Sequence, residues 1–115
     1  MQKIKTIPLI GVSTEGITFD EKNKPVQYYV KLTLLTFMRN WLEQNPQENV
    51  LKNQEVFWDI RNLLDRAVEQ GKEEVELGDS FWGFLNRCRR EVKGMDANNL
   101  WYQRMQLHLN LVSDR

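Results

Sequence analysis

Apolar and polar positions change their period along this chain, and the changes predict its elements. Residues Ile4 to Ile10 form a short run rich in β-branched side chains, with Pro8 marking an edge strand or its end. A loop follows from Gly11 to Gly16. Ile17-Thr18-Phe19 then alternates, Asp20 to Lys24 has turn chemistry, and Val26, Tyr28, Val30 and Leu32 recur at every second position. Two such runs around a polar turn predict a β-hairpin with Ile17 and Phe19 on its inner face.

At Thr33 the period becomes helical. Leu34, Leu35, Phe37, Met38, Trp41 and Leu42 share one face, Thr33 or Thr36 can cap the start, and Asn45-Pro46 stops it. A second helix carries Val56, Phe57, Ile60, Leu63, Leu64, Ala67 and Val68 on one stripe, with Asn53 as its cap and Gly71 as a left-handed stop. Val75 and Leu77 alternate in a polar stretch and suggest a brief third strand. Gly78-Asp79-Ser80 opens a third helix with Phe81, Phe84, Leu85, Cys88 and Val92 inward, ended by Gly94.

The last segment, capped by Asp96 and running from Ala97 to about Val112, carries two signals. Met105, Leu107, Leu109 and Leu111 alternate, which alone says strand, whereas Leu, Met, Gln and Arg are good helix formers. Composition favours the helix, and it would be apolar over an unusually wide face. One core needs less, so a second copy of the chain is a natural cover for the excess. The expected fold is therefore α+β. A small antiparallel N-terminal sheet (residues 1–32, mainly strands) is packed by three or four helices (33–112) in a single domain spanning 1–115.

Composition fits that reading: 41% hydrophobic and 28% charged residues, with four Trp, describe a chain that folds around a core. Formal net charge is zero, which withholds the cationic surplus that phosphate binding usually needs. No apolar run is long enough to span a bilayer, and the N-terminus lacks the apolar stretch of a signal peptide. With Cys88 as the single cysteine, a reducing cytoplasm is the expected compartment.

Candidate chemistry is sparse. Gly11 to Gly16 has the glycine spacing of a phosphate loop, but Ile17-Thr18 stands where Lys-Ser/Thr is required. His108 is the sole histidine and has no carboxylate beside it in sequence, so it reads as structural or interfacial. Glu73, Glu74, Glu76 and Asp79 form an acidic cluster best read as a solvated edge, with an acidic docking patch as its better functional use. No catalytic residue, cofactor site or metal site is assigned.

Contact residues are the remaining signal. Arg87, Arg89, Arg90 and Lys93 form a basic stripe suited to a helix C-terminus. Trp82 lies off the main apolar stripe nearby. The neighbouring pairs Phe57-Trp58, Phe81-Trp82 and Trp101-Tyr102 send side chains about 100° apart, so some must lie at the surface or under a partner. Large aromatics anchor interfaces, which points to protein contacts. Trp82, Arg89, Arg90, Trp101 and Tyr102 are the candidate partner-binding residues, and Leu107 and Leu111 the candidate self-association surface. The runner-up function is nucleic-acid binding by the helix around Arg87 to Lys93.

The order of elements also resembles small accessory or assembly proteins encoded by bacteriophages and prophages. The residues concerned are Ile17-Thr18-Phe19-Asp20 to Val26, Leu32 to Leu35 entering a helix, Phe57 to Leu64, and Val75 to Asp79 leading into another. That likeness covers about residues 16 to 95 and is one of layout. Several such proteins are oligomeric assembly or host-interaction factors; the likeness implies a non-enzymatic binding protein of the bacterial or host cytoplasm, and it transfers no site residue.

Overall fold

A computed structural model describes residues 3–95 and 98–115. The elements run β1 (Ile4–Pro8), α1 (Val26–Gln44), a 3-10 turn (Pro46–Glu48), α2 (Leu51–Glu69), β2 (Glu74–Gly78), α3 (Asp79–Glu91) and α4 (Leu100–Ser113). The fold is α+β, with a two-stranded antiparallel sheet and four helices.

The expected hairpin is not there. Pro25, with φ −66° and ψ 156°, sends the chain into α1, which starts at Val26. Period-2 spacing at Val26, Tyr28, Val30 and Leu32 coincides with a longer helical series: Val30, Leu34, Phe37, Met38 and Trp41 are all buried, while Leu32 faces outward. Burial against three other helices overrides the strand preference of Val and Tyr. Asp20 to Lys24 does turn the chain, with Asn23 at φ +66°, but the turn delivers it into a helix. Of residues 1–32, only Ile4–Pro8 is strand among those described.

β1 pairs instead with the brief strand that Val75 and Leu77 suggested, in the register Ile4↔Gly78 through Pro8↔Glu74. Ile7, Leu9, Val75 and Leu77 face the core. Between β1 and α1, residues 9–25 form a long irregular connection. It is pinned by the Arg104 guanidinium donating to the Ser13 and Glu15 carbonyls at 2.9 and 2.6 Å. Phe19 stacks on Tyr29 at 3.7 Å and meets Trp101 edge-on at 5.1 Å.

α2 follows the expected stripe, with Ile60, Leu64 and Ala67 buried. It begins two residues before Asn53. That side chain is not its cap and donates back to the Glu48 carbonyl at 2.7 Å. Gly71, at φ +67°, ends α2 as expected. The Gly71 N–H meets the Val68 carbonyl and the Lys72 N–H the Ala67 carbonyl, the paired bonds of a Schellman stop. The last segment is a helix. Its N-cap is Asn99, whose side chain accepts from the Tyr102 N–H; the cap expected at Asp96 lies outside the described residues.

α1 is the central element, in contact with α2, α3 and α4, and the sheet packs against α2, α3 and α4. Trp41, Phe37, Leu34, Ile60, Leu85, Met105 and Leu109 are among the largest fully buried side chains.

Candidate interaction surface

α4 has two apolar faces with different fates. Trp101, Met105, Leu109 and Val112 follow helical spacing and are buried. Leu100, Leu107 and Leu111 lie on a second stripe, roughly 130° round the helix, and are 45%, 64% and 61% exposed. The inner face is locked from several sides. Trp101 donates its indole N–H to Thr33 Oγ1 at 2.7 Å, His108 Nε2 meets the Pro8 carbonyl at 2.7 Å, and Lys5 Nζ donates to the Arg115 carbonyl at 2.6 Å. With one face fixed to α1 and β1, the leucines of the other point into solvent.

Placement of the expected contact residues is mixed. Trp82 and Trp101 are both 6% exposed and Arg89 only 5%, so the exposure expected of these three is corrected. Tyr102 is half-buried beside Phe37, with ring centroids 5.8 Å apart, and Arg90 is exposed. α3 is rotated from its expected azimuth: Trp82 and Leu85 lie at its buried centre, Phe81 and Phe84 at the margin. Packing against both α1 and α4 buries a wider arc of α3 than one stripe would.

Arg89 is held between α3 and α4 by amide oxygens. Its Nε donates to Asn86 Oδ1 at 2.9 Å, and Nη1 to Asn110 Oδ1 at 2.5 Å and Gln106 Oε1 at 3.3 Å. Gln106 in turn donates to the Arg89 carbonyl at 2.7 Å. No carboxylate lies within ion-pair distance among the described residues. Desolvation, then the neighbouring Arg90 charge, lowers its pKa against an opposing pull from Asp114.

Arg87 is also committed. It bridges to Glu91 at 3.4 Å and Glu48 at 3.7 Å and lies over the Trp41 ring at 4.9 Å. The basic stripe expected from Arg87 to Lys93 is thus broken up: Arg87 is paired and Arg89 buried, while Arg90 and Lys93 are exposed and in no ion pair among the described residues.

A surface aromatic that the sequence-based choice passed over is Trp58 on α2. It is 54% exposed, close to Val50 and Leu51 in sequence and capped by Arg61 at 5.2 Å. Its neighbour Phe57 takes the core-facing azimuth, so the Phe57-Trp58 pair was the available signal.

A cleft of about 630 Å³ opens where the 16–21 loop meets α1 and the start of α4, with Leu32, Thr36, Leu100 and Tyr102 in its lining. Two hydroxyls in its lining are already bonded: Thr36 donates to the Leu32 carbonyl, and the buried Thr33 to that of Tyr29. Among the described residues, no three His, Cys, Asp or Glu side chains are placed to hold a metal ion, and no helix is long and apolar enough to cross a membrane.

Against known proteins, the chain matches no protein-family model, no curated protein and no solved structure.

Proposed function

We propose that this chain is a non-catalytic interaction or assembly protein that pairs with itself through the outer face of α4. The observation that carries the reading is the stripe Leu100, Leu107 and Leu111, exposed on a helix whose opposite side is fully engaged. Steps of seven and four residues are the spacing of a helix–helix seam. A two-fold antiparallel arrangement sets Leu107 against Leu111 of a second copy twice over, so one short stripe serves both sides of the contact.

A 14-residue helix face is small beside the roughly 1,200–2,000 Å² buried in stable interfaces. Association is therefore reversible and concentration-dependent. A protein partner, a cytoplasmic setting and a phage origin belong to the same reading. The phage-like layout is its weakest support, because its first part is no hairpin: Ile17 to Phe19 lie in an irregular connection and Val26 onward is a helix. Nucleic-acid binding has lost the continuous cationic stripe that recommended it.

Light scattering after size exclusion tests this directly. The wild-type mass should rise from monomer toward dimer as concentration increases through the micromolar range. Leu107→Ser with Leu111→Ser should stay monomeric with its helical circular dichroism intact. A wild type that remains monomeric at millimolar concentration sinks the proposal.

A further inference from the structure

The β2 edge of the sheet pairs with no other strand among the described residues. Ladder parity follows from one bond: the Leu9 N–H donates to the Glu73 carbonyl at 2.8 Å. In the antiparallel register this makes Ile7–Val75 and Lys5–Leu77 the hydrogen-bonded pairs. Pro8, which has no N–H, falls at a non-bonded position as it must. Glu74 and Glu76 then direct their N–H and C=O groups away from β1, and among the described residues no hydrogen bond reaches them. The outer edge of β1 is different, since the Pro8 carbonyl is taken by His108.

Along the open β2 edge runs a cleft of about 420 Å³ with Leu63, Ala67 and Val75 in its wall and Arg66 and Lys72 beside them. We propose that β2 accepts an extended peptide as a third, antiparallel strand, and that this peptide alternates apolar residues with lysine or arginine. This surface is independent of the α4 pairing.

Charge selects the occupant. Residues paired with Glu74 and Glu76 on an added strand have side chains on the same face as those carboxylates. Both are exposed, and neither is in an ion pair among the described residues. Cations are favoured there. The intervening residues face the cleft, where apolar walls and the nearby Arg66 and Lys72 favour uncharged side chains. A second copy of β2 is a poor occupant, because two-fold pairing would set Glu74 against Glu76 in both directions. Strand addition of this kind gives affinity through main-chain bonds and selectivity through alternate side chains.

The test uses the whole protein and an acetylated, amidated octapeptide alternating valine and lysine. Binding is followed by fluorescence anisotropy, and edge pairing by amide hydrogen exchange. Slowed exchange at the Glu74 and Glu76 amides is expected. N-methylation of the lysines, whose N–H groups face β2, should weaken binding at least tenfold, while N-methylation of the valines should change it little. Glu74→Lys with Glu76→Lys, folded by circular dichroism, should lose the lysine peptide and take a valine–glutamate one. Absence of binding, equal binding of both N-methylated peptides, or edge protection that grows with protein concentration without peptide would each overturn the proposal.

Discussion

Trp101 donates its indole N–H to Thr33 Oγ1 over 2.7 Å, across 68 positions of sequence, and both side chains are buried. This bond makes Trp101 part of the core and not a surface anchor. Thr33 passes the interaction on by donating to the Tyr29 carbonyl at 2.8 Å, so Tyr29, Thr33 and Trp101 form one chain of bonds.

Thr33→Val keeps the shape and strands a buried indole N–H. It should cost about 1–3 kcal/mol, the penalty for an unmade buried bond. Thr33→Ser should recover much of that. Denaturant midpoints at unchanged slope provide the reading, and Trp101→Phe combined with Thr33→Val should cost less than the sum of the two single changes.

Arg89 gives the opposite ordering. It is buried with no carboxylate in ion-pair reach among the described residues, held by Asn86, Gln106 and Asn110. Replacing a buried charge with an apolar chain of similar length is often neutral or stabilising, so Arg89→Met should change stability by no more than about 1 kcal/mol in either direction. Removing a holder is worse. Asn110→Leu leaves the charge in place with a donor unpaired and should cost roughly 1–3 kcal/mol. Urea midpoints in which Arg89→Met is the more damaged variant would contradict this account.

How far the sequence could be read depended on whether an element answers to its own neighbours or to distant ones. α2 answers mainly to itself: its stripe and the Gly71 stop were legible, although its start at Leu51, two residues before the expected cap Asn53, was not. The start of α1 was not, because Val26 to Leu32 satisfies both periods and only packing chooses between them. β1–β2 pairing joins residues at opposite ends of a long intervening stretch, and no local pattern announces it. Excess apolar width in α4 was visible, and Leu107 and Leu111, assigned to a self-association surface, are the part of it that this fold leaves exposed. Sequence could not say which member of Phe81-Trp82 or Trp101-Tyr102 turns inward, since helix azimuth is set by neighbours on both flanks. Arg89 followed the same rule: a cation near a helix C-terminus reads as solvated until a second helix supplies amides around it.

Cys88 should be inert in the folded protein. Burial pushes its thiol from an ordinary 9.0 up to about 12, so very little thiolate exists at pH 8. An aromatic disulfide reagent should react only after denaturant is added. The sign of the pH effect follows from linkage. Below pH 9 both folded and unfolded thiols are protonated, and nothing is lost. Between 9 and about 12 the unfolded chain ionises while the folded one resists, so stability falls with rising pH, by up to roughly 1.4 kcal/mol per unit. Cys88→Ala should flatten that part of the alkaline profile, and an unchanged slope would show that other groups govern it.

Two glycines separate backbone freedom from packing, because an added Cβ meets nothing within 4 Å at either. Gly71 sits at φ +67° in the Schellman stop of α2. Alanine there has room but the wrong backbone geometry, and Gly71→Ala should destabilise by about 1 kcal/mol. Gly83 lies inside α3, on its exposed side, with no positive φ. Gly83→Ala removes conformational freedom from the unfolded chain and adds a good helix former, so it should stabilise by about 0.5–1 kcal/mol. Thermal midpoints should therefore move in opposite directions for the same chemical change. A loss at Gly83 would mean that its open face is covered in solution, and scattering on that variant would then show whether a second copy is the cover.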